Sequence, residues 1–295
     1  MIDRYLLRYF LAVVDAGSFS RAAAQVNVTQ PTLSVGIAKL ERLVGTPLFH
    51  RTSQRVHLTE AGARLVAHAR RIENDFNLIA QTVADTTDAP VVRVGVLSSI
   101  PTDMLERIVA EHRRTEEPAQ IEFVEGTERD LVSRLGRGRI DMALTVLRAG
   151  GEWRQQPLYR EGYALALPRW HRFAGAASVR PEDLAEETMI IRRNCEALSE
   201  TSRHFTSHGV RPRFSFRTTN DDRALALVRA GLGITVMPDA YRDAEVARPR
   251  LAGFELMREV GILRGEGASH EGADQCLPII DIIRTAITRG KPERS

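Results

Sequence analysis

The sequence predicts a mainly helical N-terminal winged helix-turn-helix, then a linker helix, then a C-terminal two-lobed α/β domain. Three patterns predict this: helical apolar spacing before a short basic hairpin, heptad spacing after Thr59, and strands alternating with helices from Val91 onward. A chain of 295 residues is long enough for two or three domains. We expect domains at 1–58, 59–88 and 89–295, with lobe I at about 91–162 and 265–295 and lobe II at about 163–264.

Composition excludes several classes of protein. Apolar residues make up 43% and charged residues 27%, as in ordinary globular proteins rather than collagens or disordered chains. No apolar run is long enough to span a membrane, and Arg8 interrupts the apolar stretch near the N-terminus, which we interpret as a folded helix rather than an export signal. Two cysteines, Cys195 and Cys276, do not form a disulfide framework. We therefore expect a cytoplasmic protein without a membrane partner.

Positive charge is concentrated near the N-terminus. The whole chain carries a net charge of +3, whereas residues 20–57 hold five bases and one acid, a net charge of +4. The bases are Arg21, Lys39, Arg42, Arg51 and Arg55, and the acid is Glu41. A basic segment beside a nearly neutral remainder is typical of a nucleic-acid-binding module.

The first three helices follow from apolar spacing and end signals. Apolar residues from Leu6 to Val14 share one helical face, and Gly17 is suited to end that helix. Ser20 is expected to cap a short second helix, and Asn27 tolerates the left-handed backbone of a tight turn. Thr29 is expected to cap a third helix, with a proline in its first turn. Two helices joined by a short turn predict a helix-turn-helix.

The next segment predicts a wing. A short strand around Leu48, a polar turn and a second strand around His57 form a hairpin flanked by arginines. In such proteins the second helix of the motif enters the major groove and its first residues reach base edges. The predicted DNA-binding residues are Ser20, Arg21, Thr29, Gln30, Thr32, Ser34, Lys39, Arg51, Thr52, Ser53 and Arg55.

Two stretches, LRYFLAVVDAGSFSRAAAQVNVTQPTLS and LERLVGTPLFHRTSQRVHLTEAG, closely resemble the LysR-type transcriptional regulators. The resemblance implies a repressor or activator that binds a double-stranded DNA operator, with a C-terminal domain that senses a small molecule. It also implies a homodimer or homotetramer and, for an activator, contact with RNA polymerase. The chain departs from the family where a large polar residue often follows the serine of the third helix, since Val35 and Gly36 stand there.

The linker helix begins at Thr59 and carries apolar residues at heptad spacing over nearly three heptads. A helix packed on its own domain would show a similar pattern. We favour a dimer because the segment joins two domains and because LysR-type proteins dimerise through this helix. The predicted dimerisation residues are Leu65, Ala69, Ile72, Phe76, Ile79 and Val83.

The C-terminal part alternates strands and helices, which predicts a mostly parallel sheet in each lobe. LysR-type regulators have a periplasmic-binding-protein-like fold, and the stretch RAGLGITVMP matches a recurrent family segment. Ligands of open α/β sheets bind beyond the carboxyl ends of strands. The predicted effector-binding residues at these ends are Ser98, Ser99, Thr127, Arg192, Arg193, Asn194, Cys195, Thr218, Thr219 and Asn220. Hydroxyl and amide groups near helix N-termini, with an arginine, favour an anion such as a carboxylate, although the same residue types often serve as helix caps.

Two alternatives to a ligand-responsive regulator remain. A DNA-tethered enzyme would use the cleft for catalysis, but the candidate residues contain no nucleophile–base pair. A thiol sensor would use Cys195, whose pKa two neighbouring arginines would lower, although Cys276 is 81 residues away in sequence. His204 and His208 have the i, i+4 spacing of a metal pair, yet no further ligand joins them at clear spacing. We expect no enzyme, no metal and no cofactor. The effector, the operator and the sign of regulation do not follow from the sequence.

Overall fold

The computed structural model describes residues 1–51, 56–84, 90–150, 153–265 and 270–289. The chain divides into two compact units, one made mainly of residues 1–88 and the other of residues 89–135 and 140–295. Among the described residues, no helix is long and apolar enough to cross a membrane.

The first unit is a winged helix-turn-helix followed by a long helix. Its elements are α1 (Arg4–Ala16), α2 (Phe19–Gln25), α3 (Gln30–Val44), β1 (Phe49–Arg51), β2 (Val56–Leu58) and α4 (Glu60–Ala84). Gly17 ends α1 in the left-handed conformation with φ of 62°, and Asn27 takes φ of 55° in the turn before α3. Thr29 caps α3 by accepting a hydrogen bond from the backbone N–H of Thr32. The predicted order of helices, turn and hairpin is confirmed.

One predicted cap is wrong. Helix α2 begins at Phe19, so Ser18 occupies the N-cap position and Ser20 lies exposed in the first turn. Phe19, the first residue of the helix, packs its ring edge-to-face on the ring of Phe49, with 5.9 Å between the ring centroids. Ser20 is therefore available at the surface.

Helix α4 packs partly on its own domain, which corrects the predicted dimerisation set. Ala69 is fully buried in the core formed by α1, α2 and α3, and Leu65 packs against the same core. Ala69 is therefore not open to a partner helix, whereas Leu65 is half-buried. Ile72 and Phe76 remain 37% and 41% exposed. The side chains of Ile79 and Val83 lie outside the described residues.

The second unit is a two-lobed α/β domain. Its elements are β3 (Val91–Leu97), α5 (Thr102–His112), β4 (Gln120–Gly126), α6 (Glu128–Gly136), β5 (Met142–Val146), β6 (Arg154–Pro168), β7 (Ser178–Val179), a 3₁₀ turn (Pro181–Leu184), β8 (Thr188–Arg192), α7 (Leu198–Ser207), β9 (Arg213–Thr218), α8 (Asp221–Arg229), β10 (Thr235–Pro238), β11 (Val246–Ala247), β12 (Arg250–Leu251), β13 (Met257–Arg264) and α9 (His270–Arg289).

The main sheet has the order β10-β6-β13-β5-β3-β4, with β11 pairing with β6. Strand β3 runs parallel to β4 and β5, and the small sheets β8-β9 and β7-β12 are also parallel. The prediction of a mostly parallel sheet is wrong for β6, β10 and β13, which pair antiparallel. The reason is that the chain leaves lobe I along the 15-residue β6 and returns along β13, so two neighbouring strands run in opposite directions. These two strands place charged residues at the junction of the lobes.

Candidate DNA-binding surface and interlobe cleft

The outer face of α3 presents polar side chains near its N-terminus. Gln30, Thr32 and Lys39 are exposed, and Ser34 is half-buried. Gln30 Nε2 donates a hydrogen bond to Ser34 Oγ at 2.9 Å, which orients the amide along the helix surface. The Thr29 and Thr32 hydroxyls lie 2.8 Å apart. The predicted base-reading residues of α3 therefore form one surface.

Val35 belongs to the same surface, whereas its neighbour Gly36 does not. Val35 is 69% exposed. Gly36 is buried against α1, where an added Cβ would lie 2.5 Å from Tyr9 Cδ2. The glycine thus permits close packing of α1 against α3, and the valine adds an apolar group to the exposed face. Sequence reasoning omitted Val35, although its spacing from Thr32 and Lys39 placed it there.

Positive charge adjoins this surface. Lys39 Nζ donates to Tyr5 Oη at 2.8 Å, and this hydrogen bond raises the pKa of Lys39. Arg21 is exposed on α2 beside Ser20. In the wing, His50 pairs with His57 and Arg51 with Val56 along the antiparallel hairpin. Thr52, Ser53, Arg55 and the side chain of Arg51 lie outside the described residues, so their contacts with DNA stay predictions.

The lobes of the second unit meet through polar side chains at the ends of their strands. Ser99 follows β3 and donates from Oγ to Glu196 Oε2 at 2.8 Å, and Glu196 lies in the turn between β8 and α7. Thr102, the first residue of α5, donates from Oγ1 to Asp222 Oδ2 near the start of α8 at 2.5 Å. Contacts from lobe I to lobe II are therefore made by hydroxyls and carboxylates.

Arg258 of β13 lies at the centre of this contact and is 3% exposed. It donates from Nε and Nη2 to Glu161 Oε1 at 2.9 and 2.7 Å, and from Nη1 to Glu196 Oε1 at 2.5 Å. It also donates to the hydroxyl and the carbonyl oxygen of Ser99 at 2.8 and 3.1 Å. Tyr163 completes the group by donating from Oη to Glu196 Oε1 at 2.7 Å.

The electrostatics of Glu196 follow from these partners. Burial alone would raise the pKa of this carboxyl, but the charge of Arg258 and the hydrogen bond from Tyr163 outweigh burial and lower the pKa to about 2. Burial and the neighbouring Glu196 raise the pKa of Tyr163. Glu196 is therefore an anion at neutral pH, and Tyr163 is a neutral donor.

The structure corrects the expected role of Arg192. This guanidinium is 2% exposed, forms an ion pair with Asp221 at 2.8 Å and donates to the carbonyl oxygen of Val236 at 2.8 Å. It is already used inside lobe II and is not available to clamp an effector. Arg193, by contrast, is exposed, and its backbone N–H donates to the carbonyl oxygen of Thr218.

Several other predicted effector residues hold helix ends or turns. Thr127 Oγ1 donates to Asp130 Oδ2 at 2.7 Å at the start of α6, and Asn220 caps α8 through its side-chain oxygen. Thr218 Oγ1 accepts from the backbone N–H of Asn220 at 3.0 Å. Thr219 is exposed and Asn194 is half-buried. The buried Ser98 Oγ has no hydrogen-bond partner among the described residues, so this predicted hydroxyl stays available.

Cys195 lies beside this group. Its Sγ accepts a hydrogen bond from the backbone N–H of Ala197 at 3.4 Å. Burial raises the pKa of the thiol, while the charge of Arg192 acts in the opposite direction. Cys276 is buried in α9, where burial raises its pKa to about 12. Burial therefore favours the neutral thiol at both positions.

Both histidines, His204 and His208, contact backbone carbonyl oxygens through their rings. His204 Nε2 lies 2.9 Å from the carbonyl oxygen of Ala252, and His208 Nδ1 lies 2.8 Å from the carbonyl oxygen of His204. Within the described ranges, no cluster of histidine, cysteine or acidic residues has the geometry of a metal site.

Sequence reasoning missed four residues at the centre of the cleft: Glu161, Tyr163, Glu196 and Arg258. A usable signal existed for two of them. Glu161 and Arg258 lie in strand segments that also contain long apolar stretches, REGYALALP and MREVGILR, where an unpaired buried charge would be costly. Such residues in two neighbouring strands indicate a buried ion pair.

Comparison with known proteins agrees with both units. Residues 5–63 match the family model "Bacterial regulatory helix-turn-helix protein, lysR family", and residues 86–275 match "LysR substrate binding domain". The chain belongs to the LysR family. A relative from Mycobacterium avium, a probable hydrogen peroxide-inducible genes activator, is 30% identical over 251 residues, which cover 83% of this chain and 80% of the relative.

Solved structures show the same fold as this LysR-family chain. Full-length OxyR from Pseudomonas aeruginosa superposes with a TM-score of 0.60 and 22% identity, covering all of this chain and 99% of that one. Full-length CbnR, solved with its target DNA, gives a TM-score of 0.51 and 22% identity, covering 97% of this chain and all of that one. The predicted family and fold class are confirmed. The protein is a LysR-type DNA-binding transcriptional regulator with an effector-binding domain.

Proposed function

We propose that this regulator binds its operator as a homodimer or homotetramer, with α3 in the major groove, and that a small anionic effector between the lobes controls it. The observation that carries the effector role is the polar contact between the lobes. Ser99 and Thr102 meet Glu196 and Asp222 there, so the junction is held by groups that a polar ligand can compete for. An apolar junction would offer no such exchange.

DNA recognition is assigned to the exposed face of α3. Gln30 is suited to read adenine, whose N6 and N7 positions match a side-chain amide, and Thr32 and Ser34 are suited to bases or phosphates. Lys39, Arg21 and Arg51 supply positive charge for the backbone. CbnR has been solved with its target DNA, which supports the same mode here. We assign Arg51 to a phosphate contact. Arg51→Ala should therefore weaken binding to all DNA sequences alike and make the slope of log affinity against log salt concentration shallower by about one.

Assembly is assigned to the C-terminal half of α4. The exposed Ile72 and Phe76 continue, at heptad spacing, into Ile79 and Val83. Light scattering should show that Ile72→Asp is monomeric, because a charge in the seam is costly to bury. Ala69→Ser is the matched control, since Ala69 faces its own domain and should leave the oligomer intact. Wild-type protein that is monomeric at micromolar concentration would contradict the proposal. For an activator, RNA polymerase is the further partner.

The experiment that tests the whole proposal has two steps. Operator sequences are first selected from random duplex DNA with the full-length protein, and their affinity is measured at two salt concentrations. Small carboxylates, including aromatic acids, are then screened for a rise in melting temperature and for a change in operator affinity. We expect a ligand that does both. Because coupling is reciprocal, operator DNA must change the affinity for that ligand by the same factor.

A paired variant locates the ligand within the cleft. Ser98→Ala/Thr127→Ala should weaken the effector response and leave effector-free operator binding unchanged. Unchanged effector affinity in this variant would place the ligand elsewhere.

A second candidate function is thiol redox sensing through Cys195. It is favoured by relatives whose names describe hydrogen peroxide-inducible gene activation. In this role the Cys195 thiolate would attack peroxide and break its O–O bond, which forms sulfenic acid and releases hydroxide that is then protonated to water. Burial, which raises the pKa of this thiol, opposes that chemistry. Peroxide-dependent operator binding that disappears in Cys195→Ser would support sensing, and peroxide-independent binding would leave the small-molecule effector.

A further inference from the structure

One guanidinium in the cleft holds two carboxylates. Arg258 contacts Glu161 through two nitrogens and Glu196 through the third. A single positive charge is therefore shared by two negative charges, although one carboxylate suffices to neutralise it. Glu161 lies on β6 beside β13, so its place is fixed by the sheet. Glu196 is the second, additional carboxylate.

The donors around Glu196 fit the shape of a carboxylate. Oε1 accepts from Tyr163 Oη and from Arg258 Nη1, and Oε2 accepts from Ser99 Oγ. These donors come from β6, β13 and the segment after β3, and none of them belongs to the turn that carries Glu196. They would stay in place without Glu196, and their pattern would suit any carboxylate of similar size.

Two other arginines of this domain hold carboxylates that belong to helices. Arg192 pairs with Asp221, the first residue of α8, and Arg148 pairs with Glu128, the first residue of α6. Displacing either carboxylate would disturb a helix end. Glu196 instead lies in the short turn between β8 and α7, so a change in the conformation of this turn is enough to move its carboxylate away.

We infer that Ser99, Tyr163 and Arg258 form a binding site for a small carboxylate, that the chain fills this site with its own Glu196, and that an effector carboxylate acts by replacing it. The last step rests on the proposed effector role of the cleft; the site itself does not. Replacement breaks the Ser99–Glu196 hydrogen bond between the lobes and releases the turn that also carries Cys195. The ligand therefore binds one lobe arrangement better than the other, as any ligand-driven switch requires.

Chemical rescue by acetate tests the site. Glu196→Ala removes the atoms beyond Cβ, and acetate supplies the same atoms from solution. We expect this variant of the full-length protein to melt at a lower temperature than wild type in sodium chloride. Sodium acetate at equal ionic strength and neutral pH should raise its melting temperature, with saturation, by about 3 °C more than chloride does at tenfold excess over the dissociation constant.

Three controls make the rescue specific. The melting temperature of wild type should respond alike to acetate and chloride, because the tethered carboxylate of Glu196 has a high effective concentration at the site. Glu200→Ala, a matched acidic position one turn along α7, should also respond alike to both salts. Glu196→Ala/Tyr163→Phe, which lacks one donor, should bind acetate at least fivefold more weakly than Glu196→Ala.

The outcomes separate the site from its role. An acetate response in Glu196→Ala no larger than the chloride response overturns the site. If that variant does not fold in sodium chloride, circular dichroism in saturating sodium acetate replaces the melting measurement, and acetate that fails to restore the helical signal overturns the site. Rescue that leaves operator affinity unchanged supports the site and overturns its effector role. Wild-type protein that selects no operator overturns the proposed function and leaves the site standing.

Discussion

The outer face of α3 and the cleft between the lobes both carry functional side chains, but they differ in how those side chains are satisfied. Gln30, Thr32 and Val35 point to solvent, whereas the side chains of Arg258 and Glu196 are 2% and 7% exposed and already bound to each other. A surface that reads DNA presents its groups in advance. A cleft that responds to a ligand gives up internal contacts when the ligand arrives. Substitutions on α3 should therefore change affinity, and substitutions in the cleft should change stability.

The largest effect is expected from Arg258→Ala. This change leaves Glu161 and Glu196 buried without their counter-ion and should lower the free energy of unfolding by about 3–5 kcal/mol. Chemical denaturation of the full chain measures it. Arg193→Ala, on an exposed arginine, is the control and should cost less than about 0.5 kcal/mol. Similar losses in the two variants would erase the contrast between buried and exposed charge.

The next effect is a dependence on pH. The pKa of Glu196 is about 2 in the folded state against its ordinary value of 4.5, so ionised Glu196 stabilises the fold above pH 4.5. That stability, about 3 kcal/mol on this shift, is lost as the pH falls through 2. Wild type and Glu196→Gln should therefore differ most near neutral pH and converge in acid. A difference that is constant from pH 7 to pH 2 would contradict this, and the control Glu186→Gln, at an exposed position, should leave the free energy of unfolding almost unchanged.

On α3, Gln30→Ala should weaken binding to the selected operator by about 1–3 kcal/mol and relax the preference at one base pair. Stability should be unchanged, because Gln30 is exposed. Fluorescence anisotropy with single-base operator variants measures both effects. A uniform loss over all sequences would instead assign Gln30 to the DNA backbone.

The smallest effect concerns Val35, which we expect to contact a thymine methyl group. Val35→Ala should cost about 0.8 kcal/mol, or about fourfold in affinity. Replacing single thymines of the operator by deoxyuridine removes the methyl from the other side. One such replacement should weaken operator binding by wild type and leave operator binding by Val35→Ala unchanged. Equal sensitivity of both proteins at every thymine would show that Val35 does not read a methyl group.

The sequence alone predicted the winged helix-turn-helix because its signals are local. Caps, turn residues and apolar spacing act within a few residues, and Gly17, Asn27 and Thr29 all took the expected conformations. The alternation of strands and helices from Val91 onward was also predicted. The predicted cap Ser20 was wrong, because α2 begins at Phe19, whose ring packs on that of Phe49 in a contact that spacing within the helix does not reveal.

The tertiary structure alone decided which polar residues are partners. Ser99 and Arg258 are 159 residues apart in sequence, and Glu161 and Arg258 are 97 apart, yet both pairs are in hydrogen-bond contact. Spacing along one segment cannot report such pairs, because antiparallel pairing of β6 with β13 places Glu161 beside Arg258 and the segment after β3 brings Ser99 to the same guanidinium. For the same reason the sequence assigned Arg192 to a ligand, and only the folded structure showed that Arg192 forms an ion pair with Asp221. Residue type thus determined which chemistry the chain can perform, and long-range packing determined which of those groups are left to perform it.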